Sequence, residues 1–307
     1  MSPDVSLVLL NWNTRELLDR ALAAALKSAR GLQAETIVVD NGSIDGSPGM
    51  VRGRYPKVSL VRLDRNTGPA HGFNEGLRRA TGRVVVLVNT DAFLTRKALH
   101  GLVAFLDGDA TYGAAVPRLL NRDGSTQRGV MRFPTRATLL CHDSLVSRLW
   151  PGNPASRRYF MRDWDQKDSR DVDQPPQAVF AIRRSALEGV GLLDELMPIY
   201  FNDVDWCLRL RRAGWRIRYL ADLPVTHLGG ATAGKLTDRS VHIFRDRVRY
   251  ARKHFGPSGA WLAKVALYSL AGSEALSCLV NFRASWERRR IEAARVLRLA
   301  RDIRETA

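Results

Sequence analysis

Cysteine is scarce in this chain: three residues in 307, Cys141, Cys207 and Cys278, with neither a Cys-X-X-Cys pair nor a histidine spacing that suits zinc. An odd, scattered set of this kind argues against a disulfide framework and reads as buried thiols in a reducing compartment. Long uncharged apolar runs are missing too. The most apolar stretch, Ala260 to Phe282, is broken by Lys264 and Glu274, short of the roughly 18 uncharged residues that a spanning helix needs. Met1-Ser2-Pro3-Asp4-Val5 leads straight into a strand-like run with no basic segment and apolar core before it, so no secretory signal is expected and a cytoplasmic location is. No internal repeat or low-complexity segment is present. The glycines from Gly68 to Gly76 are not followed by Lys-Ser/Thr, which disfavours a nucleoside-triphosphatase loop. Helix-turn-helix, zinc and aromatic RNA-binding motifs are absent, and nucleic acid is not expected as a partner.

Acidic residues are few relative to basic ones, 31 against 48, for a net charge of +17. Such an excess points to a polyanionic partner: nucleic acid, an anionic membrane or phosphorylated substrates. Its location narrows the choice. From Arg239 to Ala307 there are 15 Lys/Arg and 6 Asp/Glu, so +9 of the charge lies in the last 69 residues. Ala293, Val296, Leu297, Ala300 and Ile303 share one helical face there, with Arg288, Arg289, Arg290, Arg295, Arg298 and Arg301 mostly around the rest. A basic amphipathic helix suits an anionic membrane surface, which would make the protein peripheral at the inner face of the membrane. The alternative is a solvated helix packed on the domain.

Hydrophobic residues at 45% and charged residues at 26% fit a folded globular chain. Val5 to Leu10 reads as a strand buried on both faces. Leu17, Leu18, Ala21, Leu22, Ala25 and Leu26 follow with helical spacing, and Asn13 and Glu16 are placed like a capping box. Ile37 to Asp40, Val58 to Leu63 and Val84 to Val88 are further strands, with a helix at Phe73 to Ala80. This βαβαβαβ rhythm predicts a mostly parallel, Rossmann-like sheet with helices on both faces. Ligands bind such sheets beyond the carboxyl ends of the strands, where Asn11, Asp40, Arg65-Asn66 and Asn89-Thr90-Asp91 fall. A helix near Lys97 to Leu106, a strand at Tyr112 to Pro117 and a hairpin around Asp123-Gly124 come next. Residues 135–176 read as irregular, Ala178 to Ile182 as a strand, Asp203 to Ala213 as a helix stopped by Gly214, and Ile217 to Leu220 as a strand, with Val225-Thr226-His227 beyond Pro224.

The ordered strings carry more than any one of them. Leu9-Leu10-Asn11-Trp12-Asn13, Val38-Val39-Asp40-Asn41-Gly42-Ser43, Asn66-Thr67-Gly68-Pro69-Ala70-His71-Gly72-Phe73-Asn74, Val88-Asn89-Thr90-Asp91-Ala92, Tyr200 to Arg212, Ala213-Gly214-Trp215 and His227 follow in that order. Together they resemble the family 2 inverting glycosyltransferases of the glycosyltransferase-A fold, and within these the rhamnosyltransferase branch. The resemblance covers roughly residues 4 to 235.

It implies a nucleotide-sugar-binding half at 1–115, an acceptor-binding and catalytic half at 116–238, and a basic, partly apolar helical tail at 239–307. Asp91, the last position of the Asp-X-Asp motif, would hold a divalent cation, with Asn89 in place of the first Asp and His227 as a further ligand. Oxygen ligands favour Mg²⁺ or Mn²⁺, and an imidazole tilts the choice toward Mn²⁺. Such a cation offsets the charge that builds on a departing diphosphate. Asp40 would accept the ring N–H of the donor base, Trp12 would lie against that base, and Asn11, Arg65, Asn66 and Asn89 would complete the donor pocket. Asp40 also suits a turn cap beside Gly42. Asp203 would be the general base that deprotonates the acceptor hydroxyl, and Asp205 would pair with Arg209 at i,i+4. Asn202 stands where the family has Glu. The implied reaction moves a hexose from a nucleotide-sugar donor to a lipid-linked or polysaccharide acceptor; L-rhamnose from dTDP-rhamnose is one candidate, galactose or glucose from a UDP-sugar another.

Overall fold

A computed structural model describes residues 2–230, 239–280 and 301. The chain forms two compact units. The first comprises residues 1–131, 164–198 and 202–236; the second comprises 132–163, 199–201 and 237–307.

In the first unit the expected rhythm is present. Strand β1 (Val5–Asn11) leads to α1 (Arg15–Ser28), β2 (Ala34–Asp40), α2 (Ser47–Arg54), β3 (Ser59–Arg62), α3 (Pro69–Arg79) and β4 (Val84–Asn89). Then come β5 (Ala92–Phe93), α4 (Arg96–Gly108) and β6 (Tyr112–Leu120), followed much later by β7 (Arg170–Asp171), β8 (Val179–Arg183), α8 (Arg184–Val190), α9 (Asn202–Arg212) and β9 (Arg216–His227). The sheet order is β3-β2-β1-β4-β8-β6-β9-β5, with β7 on β9. The strands from β3 to β4 are all parallel. Beyond them the sheet is mixed: β8 runs antiparallel to both β4 and β6, β6 and β9 are parallel, and β5 and β7 are antiparallel to β9. A division at residue 115 falls inside β6, whose pairing with β8 and β9 carries the sheet across it.

Burial explains the elements. Val5, Leu7, Val8 and Leu9 are fully buried on both faces of β1, as a strand covered by helices on each side requires. Leu18, Ala21, Leu22 and Ala25 put one stripe of α1 into the core, each large side chain contributing about 1.5–3 kcal/mol. The capping box expected at Asn13 and Glu16 does not form. Thr14 is the N-cap without a side-chain cap bond, because its hydroxyl is committed to Asn11 and Thr90; Asp45 accepts from Arg15 N instead, at 2.8 Å. The Gly72 and Gly76 positions let α3 lie directly on the sheet, since an added Cβ would collide with Leu10 and Val8 of β1.

Two readings of the sequence are revised. Residues 135–176 contain three short helices, α5 (Arg136–Cys141), α6 (Leu145–Leu149) and α7 (Pro154–Tyr159), and β7. Each helix starts at a side-chain cap, Thr135, Ser144 and Asn153 respectively, a local signal that their shortness hides from periodicity. Around Asp123-Gly124 a tight turn forms, with Asn121 N bonded to Ser125 O and Gln127 N to Leu119 O, but without a second strand.

The second unit packs α5 and α6 with α10 (Arg239–Val280), which is broken at Gly256 before Pro257. Leu139, Phe244, Val248, Ala251, Ala263 and Leu267 form its core. Arg247, almost fully buried, donates to the carbonyls of Leu139 and His142 at the end of α5. The basic segment at 284–307 lies outside the described residues apart from Arg301. Among the described residues no helix is long and apolar enough to cross a membrane.

Candidate active site

Strand pairing brings Asp91 and His227 together across 136 positions of sequence. Ala92 of β5 lies opposite His227 of β9, and Leu228 N donates to Asp91 O at 2.9 Å. His227 Nε2 then sits 3.2 Å from Asp91 Oδ1, yet it is buried and makes no hydrogen bond.

The reason lies on the other side of the ring. His227 Nδ1 is 2.6 Å from Gln127 Oε1, and the direction of that bond follows from a chain of partners. Asp123 carboxylate can only accept, so Ser125 Oγ donates to it at 2.6 Å. Ser125 Oγ accepts from Asn121 Nδ2, and Asn121 Oδ1 accepts from Gln127 Nε2. Gln127 therefore presents its oxygen to the imidazole, which carries its proton on Nδ1 and leaves Nε2 bare. A neutral ring so placed turns its Nε2 lone pair and a carboxylate oxygen toward one another, as two ligands of a shared cation would be turned. The 3.2 Å separation and the nitrogen and oxygen donors would suit a shared divalent cation. The pair fits a divalent metal, and Gln127 Oε1 is the group that orients the ring. Among the described residues no cluster of three or more His, Cys, Asp or Glu could hold a metal.

The donor residues divide into two groups. Asp40, nearly inaccessible, receives Asn11 Nδ2 on one oxygen and Ser43 N on the other. Its cap role is thus filled, while a carboxylate keeps further lone pairs for a base N–H. Asn11 departs from the expectation of direct contact. It is fully buried, both amide protons go to Asp40 and Ser43, and its oxygen accepts from Thr14. Its side chain thus braces the end of β1 against the end of β2 and the loop after it. Trp12 and Asn89 are half-buried and Arg65 and Asn66 exposed at the same ends. Asn66 Oδ1 accepts from Asn41 Nδ2 and Gly68 N, fastening the loop after β3. Gly42, at φ 75, lets the loop after β2 press on the Arg65 backbone, which a Cβ would meet at 2.6 Å.

Asp203 lies in the first turn of α9, with Oδ1 accepting from Val204 N at 2.9 Å. Burial pushes its carboxyl above the ordinary carboxylate range, outweighing that hydrogen bond. A carboxylate so raised takes a proton more readily. Asn202 is buried and donates to Met197 O at 3.1 Å, which an ionised Glu could not do. Asp205 pairs with Arg209 at 2.8 Å as expected, and Arg209 also donates to the carbonyls of Val190 and Leu192. Cys207 is a buried thiol, pushed well up by burial and then by the Asp203 charge. In the second unit, Ile199 N and Tyr200 N both bond to the buried Asp246, which anchors the segment just before this turn.

Sequence reasoning missed Gln127, Ser43 and the Thr14–Thr90 pair. Only the turn residues Asn121, Asp123 and Ser125 hinted at the first.

Acidic and imidazole groups gathered at the carboxyl ends of parallel strands, with a separate carboxylate opening a helix, define a glycosyltransferase-A class of enzyme. The chain belongs to glycosyl transferase family 2, whose model matches residues 6–190, and it is a glycosyltransferase. It is 26% identical over 303 residues to the N-acetylglucosaminyl-diphospho-decaprenol L-rhamnosyltransferase of Mycobacterium tuberculosis, covering 94% of this chain and 96% of that protein. It is 30% identical over 226 residues to the pre-mycofactocin glycosyltransferase of the same species, 73% of this chain and 42% of that one. A mannosyltransferase from Pyrobaculum calidifontis, solved with GDP-Man and Mn²⁺, shares the fold at a TM-score of 0.55 and 19% identity, over 100% of this chain and 87% of that one.

Proposed function

We propose that the chain is a metal-dependent inverting rhamnosyltransferase that moves L-rhamnose from dTDP-rhamnose to a lipid-linked diphospho-sugar acceptor in cell-envelope glycan synthesis. The observation that carries the metal-dependent part is the Asp91–His227 pair, with a bare nitrogen facing a carboxylate at the strand ends. The sugar and the acceptor rest on likeness to the mycobacterial rhamnosyltransferase over nearly the whole of both chains.

Asp91 and His227 would hold Mn²⁺ or Mg²⁺, which when bound offsets charge on the departing diphosphate. Asp203 receives the proton of the acceptor hydroxyl as its oxygen attacks the anomeric carbon. The new C–O bond forms on the face opposite the leaving group, and the electron pair of the old bond departs with the nucleoside diphosphate. A single displacement inverts the anomeric centre. Asp40, braced by Asn11 and Ser43, offers its remaining lone pairs to a pyrimidine N–H. Trp12, Arg65, Asn66 and Asn89 supply the exposed surface around it. An acceptor on a lipid resides at a membrane surface, where the basic C-terminal segment suits anionic lipid.

A thermal-shift screen of dTDP-, UDP- and GDP-sugars with Mn²⁺ tests the donor. The largest stabilisation is expected from dTDP-rhamnose, and it should vanish in EDTA. Stabilisation by a UDP-hexose alone would replace rhamnose with galactose or glucose.

A further inference from the structure

The second unit has a cleft of about 560 Å³ with Arg132, Arg157 and Arg158 on its walls, beside Trp150 and Asp163. Among the described residues none of the three guanidinium groups has a hydrogen-bond or carboxylate partner. The cleft is built by backbone bonds. Arg132 N donates to Tyr159 O at 2.9 Å, which sets Arg132 beside the last turn of α7. Buried Asn153 caps α7 through Ser156 N and donates to Trp150 O, holding Trp150 at the other rim. Tyr159 packs tilted and Phe160 edge-on against His142, fastening α7 to the end of α5. With Asp163 as the one acidic group, the walls keep a surplus of two positive charges. Such a surplus suits a prenyl diphosphate, whose diphosphate carries on the order of two to three negative charges as a diester or a monoester, and arginine forks suit its oxygens.

Beside the cleft runs an apolar surface. Eight of the eleven exposed large hydrophobic residues among those described lie in this unit, so exposure is concentrated rather than scattered. Helix α6 buries none of its residues and shows Leu149 at 76% exposure, followed by Trp150 at 59%. On α10, Trp261, Val265 and Tyr268 recur at i, i+4 and i+7 and face outward, while Ala260, Ala263, Leu267 and Ala271 face the core. Leu145 N donates to Ser269 Oγ and Arg148 to Ser273 Oγ, which sets α6 alongside the same helix. Trp150 belongs to both surfaces.

We propose that this unit binds a prenyl diphosphate, the diphosphate held by Arg132, Arg157 and Arg158 and the apolar chain laid along α6 and the Trp261–Tyr268 stripe. The proposal rests on the lipid-linked acceptor of the proposed function and assigns the part of the chain that grips it. Neither feature alone selects such a ligand: inorganic pyrophosphate would satisfy the cleft, and a bilayer would satisfy the stripe.

The test is calorimetric titration of the whole protein in EDTA, so that no metal draws a diphosphate to Asp91 and His227, with farnesyl diphosphate, pyrophosphate and farnesol as probes. Farnesyl diphosphate should bind more tightly than either of the others. R157A/R158A, at exposed positions, should melt normally and weaken both diphosphates by about tenfold or more. L149N should weaken farnesyl diphosphate and leave pyrophosphate unchanged. Unaltered farnesyl diphosphate affinity in R157A/R158A would overturn the proposal. So would sedimentation with phosphatidylglycerol vesicles that farnesyl diphosphate fails to compete, which would make the face a general membrane contact. Failure of the donor screen would sink the rhamnosyl reading and leave these titrations as they are.

Discussion

Replacing Gln127 with Leu should damage metal binding without touching a metal ligand. The wild-type imidazole keeps its proton on Nδ1 because Gln127 Oε1 accepts it at 2.6 Å. With Leu there, the better partner for the proton is Asp91, 3.2 Å from Nε2. The proton moves to Nε2, donates to the carboxylate and occupies the lone pair a cation needs. A hydrogen bond to a charged group contributes about 1.5–3 kcal/mol, and all of it would have to be undone on metal binding. That range equals roughly a 10- to 150-fold loss of affinity, in line with the 10- to 100-fold typical of outer ligand partners. Mn²⁺ titration followed by electron paramagnetic resonance reads the affinity, and ¹⁵N chemical shifts of the His227 ring in the metal-free protein read the tautomer. Gln127→Glu, which still accepts, should restore the Nδ1–H form. Wild-type Mn²⁺ affinity in Gln127→Leu, or an Nε2–H ring in the wild-type protein, would refute the reasoning.

Asp203→Asn should keep donor binding by thermal shift and lower turnover by about 10² to 10⁴. Because burial raises the Asp203 carboxyl, its ionised form weighs against the folded state above the ordinary carboxylate value, so the same substitution should hold or raise Tm at neutral pH; a marked fall would point to a structural role. The base acts ionised, and activity should therefore decline as pH falls through the raised value, giving an acidic limb above the ordinary carboxylate range that is absent from the residual activity of Asp203→Asn. Asn202→Asp removes the donor to Met197 O and adds a second carboxylate beside Asp203; a loss of about 1–3 kcal/mol in urea unfolding is expected, and no loss would mean that this bond is unimportant.

The parallel half of the sheet and the placement of Asp40 and Asp91 at strand ends were legible because continuous Val and Ile runs announce strands buried on both faces. Antiparallel β8 was not: Val179–Arg183 is as apolar as its parallel neighbours, and direction leaves no mark on composition. Helices α5 to α7 are too short for periodicity, and only their caps betray them. Pairing of Asp91 with His227 depends on β5, a two-residue strand that no pattern signals, so only family resemblance brought the two together. Asn11 shows the converse difficulty. A polar residue at a strand end reads alike whether it faces a ligand or braces its neighbours, and here both amide protons are committed to Asp40 and Ser43. Gln127 acts through its position two residues beyond a turn, where a polar side chain is ordinary.

The most direct measurement is transfer from dTDP-L-rhamnose to an N-acetylglucosaminyl diphospho-lipid, followed by mass spectrometry of the lipid and by release of dTDP. The account predicts one added deoxyhexose per lipid with Mn²⁺ or Mg²⁺, none in EDTA, and about 10² or more less product with Asp203→Asn. Undiminished transfer in EDTA, or by Asp203→Asn, would contradict it.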